Sequence, residues 1–204
     1  MDSLVISGIG IISSVGVGYQ SLWSAFEEGK TGIAPVSLFD VEDLPAKKAA
    51  EIKDFNPKSI LGKKGLRLMD RNSLLSLCAA KLAIEDARLP LDLEPKDNIG
   101  VVLSSSFGSI SSRADLQFDI LKEGPQRINP NLFPNTVLNV MASQVAIKFG
   151  LSGACVSVSS GYNGVFESFE MARFFIESGQ IETAIVGGTE ELGRFYYELF
   201  YSLG

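Results

Sequence analysis

The sequence predicts an α/β fold in which helices cover both faces of a mainly parallel sheet. Short runs rich in β-branched and apolar residues alternate with longer segments whose apolar residues recur at helical spacing, a pattern typical of βαβ units. The short runs are apolar almost throughout, as expected of strands buried on both faces. No repeat or marked shift in composition divides the chain, so we expect a single domain over residues 1–204.

The strands are predicted from runs of Val, Ile and Ala that are bounded by turn residues. These runs cover residues 4–12, 99–103, 154–159 and 183–186, with a shorter candidate at 49–53. The second run leads into a turn of serine and glycine at 104–108. The third breaks abruptly into a helix near Gly164.

The helices are predicted from apolar stripes and from residues suited to begin or end a helix. They cover residues 19–28, 70–88, 113–122, 135–150 and 165–176. Asp70 or Asn72 is suited to cap the longest of them and Pro90 to stop it, while Asn135 is suited to cap the fourth. Three prolines between 124 and 134 predict a loop.

The composition of the chain narrows the range of partners and cellular compartments that we expect. The chain is 46% apolar and 21% charged, as in ordinary globular proteins, and its net charge of −6 favours neither nucleic acid nor an anionic membrane as a partner. No apolar run approaches the ~18 residues needed to span a bilayer. The start lacks the basic region of a signal peptide, and both cysteines lie in apolar runs, so we expect a reduced, cytoplasmic protein.

Several chemistries are disfavoured by the residues present. The chain has no histidine, so it cannot build a Ser-His or Cys-His pair by itself. Gly8-Ile9-Gly10 lacks the third Gly or Ala of a dinucleotide fingerprint, since Ser13 stands at that position, and close packing explains these glycines better. We expect no cofactor and no metal. Glu190 and Glu191 are adjacent, and we expect a turn or a solvated face rather than an acid-base pair.

Five segments, in order along nearly the whole chain, resemble the β-ketoacyl–acyl-carrier-protein synthases, or ketosynthases. They are Val-Ile-Ser-Gly-Ile-Gly at 5–10, the run 50–57 with Leu-Met-Asp-Arg at 68–71, the run 142–151 after Pro134-Asn135, and Ala-Ile-Val-Gly-Gly-Thr-Glu at 184–190. The resemblance implies one half of the thiolase-like fold, with a mostly parallel five-stranded sheet between helices. It also implies that a cysteine should stand where the strand at 154–159 turns into the next helix.

The expected cysteine is missing at that turn. Counting from either flank places Tyr162 there, within Ser160, Gly161, Asn163 and Gly164, and no register supplies a cysteine. Cys155 lies about seven residues upstream, over ~20 Å along an extended strand. Tyrosine, with an ordinary pKa near 10, is a poor nucleophile for thioester formation. The family's two histidines lie in the other half of the fold, so we expect this chain alone to be inactive.

The resemblance also implies partners. In this fold the strand before the turn lies at the sheet edge and pairs with its counterpart across a two-fold axis. Here Ala154, Val156 and Val158 alternate with Cys155, Ser157 and Ser159 along that strand. We therefore expect a homodimer, or a heterodimer with an active ketosynthase, and acyl carrier protein as a further partner. We also expect proline at Val156 to weaken pairing more than folding.

Two aromatic features remain. Phe107, in the turn after the second strand, stands where the family lines its acyl tunnel with a smaller residue, so its ring either fills a vestigial tunnel or packs in the core. The aromatic run 195–201 must pack on this domain or on a partner. Three functions stay open: a non-catalytic partner subunit, an N-terminal piece of a longer synthase (an acyltransferase), or a carrier-protein-binding scaffold.

Overall fold

The computed structural model describes residues 3–92 and 95–203. The strands are β1 (Ile12–Ser13), β2 (Gly16–Val17), β3 (Ile33–Pro35), β4 (Lys48–Ala50), β5 (Ile99–Ser104), β6 (Cys155–Val158) and β7 (Thr183–Gly188). The helices are α1 (Tyr19–Glu27), α2 (Pro57–Leu61), α3 (Arg71–Asp86), α4 (Ile110–Glu123), α5 (Val140–Phe149), α6 (Gly164–Glu177) and α7 (Arg194–Ser202). Short 3-10 turns cover Lys96–Asn98, Pro125–Arg127, Pro130–Thr136 and Gly161–Asn163.

The centre of the fold is a parallel sheet of β5, β6 and β7, in the order β6-β5-β7. Val101 of β5 lies opposite Cys155 on one side and Ile185 on the other, which fixes the register. Every residue of β5 is buried, as expected of a central parallel strand. The prediction of a parallel sheet built from βαβ units is therefore confirmed.

Helices cover both faces of this sheet. Alternate residues of β5, such as Val101 and Leu103, join the main core with α3 and α5. Ser104 points the other way, because a Cβ added to Gly164 at the start of α6 would lie 3.1 Å from its Cβ. α6 packs on all three strands from that side. The layered arrangement predicted from the sequence is thus observed.

Local signals fix the main helices. The Asp70 carboxylate accepts the backbone N–H of Ser73, at 2.9 Å, and so caps α3 as predicted. Gly150 ends α5 in the left-handed conformation, with φ of 68°. α5 begins later than expected, because Asn135 lies in a 3-10 turn and donates its side-chain amide to the carbonyl of Leu68 at 2.7 Å.

The predicted first strand is wrong over most of its length. Residues 3–11 join no sheet, and the side chain of Val5 is 81% exposed. Gly8 and Gly10 instead lie directly on α3, where a Cβ on Gly10 would sit 1.9 Å from the carbonyl oxygen of Ala79. The expected five-stranded sheet accordingly has three strands in the described part of the chain, because residues 3–11 join no sheet and β4 pairs with β3 in a separate ribbon.

The chain between α1 and α2 forms a small excursion beside the sheet. β3 and β4 pair in it as an antiparallel ribbon, and β4 lies slightly before the predicted strand at 49–53. Glu51, only 1% exposed, holds the ribbon together, because its carboxylate accepts the backbone N–H groups of Ser37 and Leu38 at 2.9 Å. Burial opposes its ionisation, yet these hydrogen bonds and Lys53 hold the pKa of Glu51 below its ordinary value.

Candidate functional site

The three parallel strands end at one edge of the sheet, and the turns that follow them lie side by side. Ser104 at the end of β5 is opposite Val158 of β6 and Gly188 of β7. The carboxyl edge of a parallel sheet is where α/β proteins place their ligands, since helix N-termini and loops converge there. We call this region the carboxyl edge, formed by residues 105–109, 159–163 and 189–193.

The turn after β6 leads from strand to helix as predicted. Gly161 takes a left-handed φ of 59°, and the 3-10 turn Gly161–Asn163 runs directly into α6. Tyr162 lies in this turn with 84% of its side chain exposed. The hydroxyl of Ser159 donates to the carbonyl of Ser106 at 3.2 Å and joins this turn to the one after β5. The backbone therefore forms a strand-turn-helix in which a tyrosine occupies the outward position.

The turn after β5 is held by Glu190. The hydroxyl of Ser105 donates to its carboxylate at 3.1 Å and accepts the backbone N–H of Gly108 at 2.8 Å. The backbone N–H of Ser106 also donates to Glu190. Phe107, at the tip of this turn, is thus positioned by a carboxylate from the far end of β7.

Glu191, the next residue along the chain, binds the first turn of α4. Its side chain is 4% exposed and accepts the backbone N–H of Ser111, in the first turn of α4, at 2.9 Å. Burial raises the pKa of Glu191, and the nearby charge of Asp70 adds to that effect against the hydrogen bonds from Ser111. Glu190 and Glu191 lie in a turn, one of the two alternatives expected, but they do not form a solvated face, because Glu190 binds the turn after β5 and Glu191 binds the start of α4.

α7 crosses the carboxyl edge and supplies rings that sequence reasoning did not place there. Phe107 lies 5.3 Å from the ring of Tyr196 and 5.9 Å from that of Phe200, both edge to face. Tyr196 and Phe200 are 4.6 Å apart, and Phe200 is 6.3 Å from Tyr162. The aromatic run 195–201 thus packs in part on this domain. The sequence signal for this packing was the spacing of Tyr196 and Phe200 within that run, since residues four apart share a helix face.

Phe107 is half-buried among these rings rather than buried in the core. Its backbone carbonyl accepts a hydrogen bond from the guanidinium of Arg113 in α4. Burial, with a contribution from the charge of Glu190, raises the pKa of the Tyr196 phenol beside it. The core-packing reading of Phe107 is therefore wrong, and the ring lies under α7 at the carboxyl edge.

The two cysteines lie away from the turn. Cys78 is fully buried in α3, and burial raises its pKa to about 11. Cys155 begins β6, opposite Val101, and is exposed at the edge of the sheet. Neither thiol lies in the turn that carries Tyr162. The polar and aromatic groups described at the carboxyl edge are therefore hydroxyls, carboxylates and rings.

Two pockets lie elsewhere in the molecule. Cavities of about 510 and 520 Å³ flank Ser14, Val15, Thr31 and Gly32 near the β3–β4 ribbon. Within residues 3–92 and 95–203, no cluster of three or more His, Cys, Asp or Glu side chains is arranged to hold a metal ion. The helices of the same ranges include none long and apolar enough to cross a bilayer.

The order of strands, the covering helices and the strand-turn-helix after β6 define a thiolase-like fold. The chain superimposes over 98% of its length on half of a structure described as the ishigamide ketosynthase/chain length factor, with a TM-score of 0.90 and 25% identity. It matches similarly, at a TM-score of 0.83 and 20% identity over 98% of this chain and 48% of the other, a type II polyketide synthase structure, AntDE:AntF, described as an acyl-carrier protein in complex with its ketosynthase bound to the hexaketide.

Residues 1–204 match the family described as Beta-ketoacyl synthase, N-terminal domain, and the chain belongs to that family. Among similar proteins is 3-oxoacyl-[acyl-carrier-protein] synthase 2 of Synechocystis sp. (strain ATCC 27184 / PCC 6803 / Kazusa), 30% identical over 191 residues. That match covers 92% of this chain and 45% of the relative. The chain thus spans about half the length of this relative.

Proposed function

We propose that the chain is a non-catalytic, ketosynthase-like subunit of fatty-acid or polyketide biosynthesis that pairs with an active ketosynthase. The observation that carries the proposal is Tyr162 at the outward position of the strand-turn-helix, where the family resemblance calls for cysteine. A phenol is largely protonated near neutral pH and cannot form the thioester that a thiolate forms.

The edge position of β6 supports the pairing. β6 bonds to β5 on one side, and its other side has no ladder partner among the described residues. Such an edge favours the addition of a strand from another chain. One similar structure is described as a ketosynthase/chain length factor and another contains an acyl-carrier protein with its ketosynthase. By analogy we propose acyl carrier protein as a second partner.

Acylation tests the catalytic part of this proposal. The chain is incubated with an acyl-carrier-protein thioester and the 157–164 peptide is examined by mass spectrometry, with Tyr162→Cys as the matched variant. We expect no adduct on the wild-type peptide, and we expect the variant thiol to react with iodoacetamide, which shows that the turn is open to reagents. A stoichiometric acyl adduct on the wild-type turn would overturn the proposal.

A second candidate is an N-terminal part of a longer condensing enzyme. It is favoured by α6, whose face away from the sheet exposes Phe166, Phe169 and Phe174. Exposed apolar patches of this kind are normally covered in the working protein. The reading frame distinguishes the two functions, since a histidine-containing half after Gly204 would support the longer enzyme, whereas a stop codon there would support the partner subunit.

A further inference from the structure

We propose that the sheet edge opposite β6 is an open slot, bounded by β7 and by residues 3–11, which receives an apolar strand from a polypeptide that carries the other half of a ketosynthase-like fold. The proposal goes beyond the proposed function, which places the pairing with a ketosynthase at β6. The strand order β6-β5-β7 puts the slot and the β6 edge on opposite sides of the sheet.

One wall of the slot is β7. This strand bonds to β5 on one side, and its other side has no ladder partner among the described residues. The N–H of Thr189, directly after β7, donates to the carbonyl of Ser104 at 3.1 Å. Because backbone groups alternate sides along a strand, the N–H groups of Ile185 and Gly187 also face β5, whereas those of Ala184 and Val186 face the slot. β7 therefore presents free donors and acceptors to the slot.

The other wall is the segment 3–11. Within the described ranges, the backbone groups of residues 4–8 have no hydrogen-bond partner, and the side chains of Val5 and Ile6 are 81% and 71% exposed. The segment is nevertheless held in place, since a Cβ on Gly8 would lie 2.4 Å from the carbonyl oxygen of Ala83 in α3. It thus offers a second fixed edge that is apolar and lacks a ladder partner.

Both walls meet the same face of α3. Ser76 and Ala79 are three residues apart and so share that face. The hydroxyl of Ser76 lies 2.7 Å from that of Thr189, and the backbone of Ala79 touches Gly10. α3 therefore reaches from one wall of the slot to the other.

The two walls run in the same direction and leave room for one strand. Gly10 lies at Ala79 and Gly8 one turn further along the helix, so the segment runs opposite to α3. β7 also runs opposite to α3, because its last residues meet the first half of the helix. The walls do not bond to each other, and a helix about 10 Å across covers roughly two strand spacings of about 4.8 Å. A single strand between them would satisfy the backbone of both.

A second copy of this chain cannot supply that strand. A strand in the slot must be free on both sides, whereas β6 and β7 are each bonded to β5 in the described structure. The chain covers 50% of the ishigamide ketosynthase/chain length factor structure and 45% of the Synechocystis relative. The other half of such a protein is therefore the partner that we assign to the slot.

The test co-expresses the 204-residue chain with the part of the Synechocystis 3-oxoacyl-[acyl-carrier-protein] synthase 2 that lies outside the match. Amide hydrogen exchange is then compared by mass spectrometry between the chain alone and the purified complex. We expect exchange at residues 4–8 and 183–188 to slow at least about tenfold in the complex, and exchange at 155–158 to stay unchanged. No complex, or protection that falls only on 155–158, would overturn the proposal.

Two proline variants provide a matched comparison. Ala184→Pro removes a donor that faces the slot, and Ser157→Pro removes one from β6 at the opposite edge of the sheet. We expect Ala184→Pro to bind the Synechocystis part at least about tenfold more weakly than the wild type, and Ser157→Pro to bind it as the wild type does. Equal binding by all three proteins would contradict the slot. Pairing through β6 predicts the reverse order, so failure of the slot is distinguishable from failure of the proposed function.

A measurement on the chain alone covers the case in which the Synechocystis part does not fold. Amide exchange is followed by NMR at single residues of β7. We expect the slot-facing amides of Ala184 and Val186 to exchange faster than those of Ile185 and Gly187, which bond to β5. Equal protection of all four amides would show that residues 3–11 close the edge by themselves, and it would overturn the proposal.

Discussion

The carboxylate of Glu191 accepts the backbone N–H of Ser111 at 2.9 Å, although the two residues are 80 positions apart. A negative group near the first turn of a helix satisfies a free amide and interacts favourably with the helix dipole. Glu191, in the turn after β7, thereby fixes the start of α4. The carboxyl edge is consequently built by hydrogen bonds between turns that are remote in sequence.

The burial of Glu191 at this position should make the free energy of unfolding depend on pH. Because burial raises the pKa of Glu191, the folded state binds its proton more tightly than the unfolded state does. Its contribution to stability is therefore present at low pH and lost as the pH rises above the ordinary value of 4.5 and through the raised pKa. In urea unfolding at a series of pH values, we expect Glu191→Gln to remove this decline. The matched variant Glu182→Gln, on the surface, should retain it, and a Glu191→Gln curve parallel to the wild type would contradict the argument.

Glu51 should act in the opposite direction. Its pKa is lowered, so its contribution to stability is present above the ordinary value of 4.5 and is lost as the pH falls through the lowered pKa. Glu51→Gln places an amide against the N–H groups of Ser37 and Leu38, and leaving such a donor unpaired costs about 1–3 kcal/mol. We expect that loss at pH 7 and a smaller loss in acid, with exposed Glu42→Gln as the control. A loss that does not change with pH would show that the carboxylate charge is unimportant.

The sequence predicted those parts of the fold whose signals are local. The apolar run of β5 and the Asp70 cap of α3 suffice to place those elements, because each depends on neighbouring residues. The segment 3–11 has the same composition as a strand but lacks a partner, and β structure needs one. Strand propensity alone therefore predicted a strand at residues 4–11 that the sheet does not contain.

At the candidate site, the sequence predicted the path of the backbone but not the contacts of the side chains. The strand-turn-helix around Tyr162 follows from a glycine-rich break between a strand and a helix. The inward turn of Glu190 and Glu191 does not follow, because neither residue lies in a strand or helix whose period would set its direction. The contact between Phe107 and Phe200 joins residues far apart in sequence, and no local pattern encodes it.

Phe107 should matter for stability less than a core aromatic residue does. Full burial makes Phe→Ala cost about 3–5 kcal/mol, but this ring is half-buried and has two edge-to-face partners worth roughly 0.5–1.5 kcal/mol each. We expect Phe107→Ala to lower the free energy of unfolding in urea by about 1–3 kcal/mol. Phe118→Ala, on the exposed face of α4, should cost less than about 0.5 kcal/mol. Equal losses for the two variants would show that the rings of α7 do not hold Phe107.

The edge of β6 offers a test of association, and the structure changes which residue should be substituted. The carbonyl of Ala154 accepts the backbone N–H of Val101 in β5 at 2.7 Å, and that of Val158 accepts the N–H of Ser105, the residue after β5, at 3.1 Å. Because backbone groups alternate sides along a strand, the N–H of Val156 also faces β5, whereas that of Ser157 faces the open edge. Proline at Val156 would therefore damage folding, contrary to the expectation from sequence, and proline at Ser157 is the better probe of pairing.

We expect the wild-type chain to be a homodimer at tens of micromolar by light scattering, with β6 pairing across the two-fold axis. Ser157→Pro removes one donor from the open edge without removing a bond to β5, so it should yield a folded monomer. Val156→Pro should instead lower the unfolding midpoint in urea, since it breaks the bond to β5. A monodisperse wild-type monomer would exclude the homodimer, and a Ser157→Pro protein that stays dimeric would place the interface on another surface.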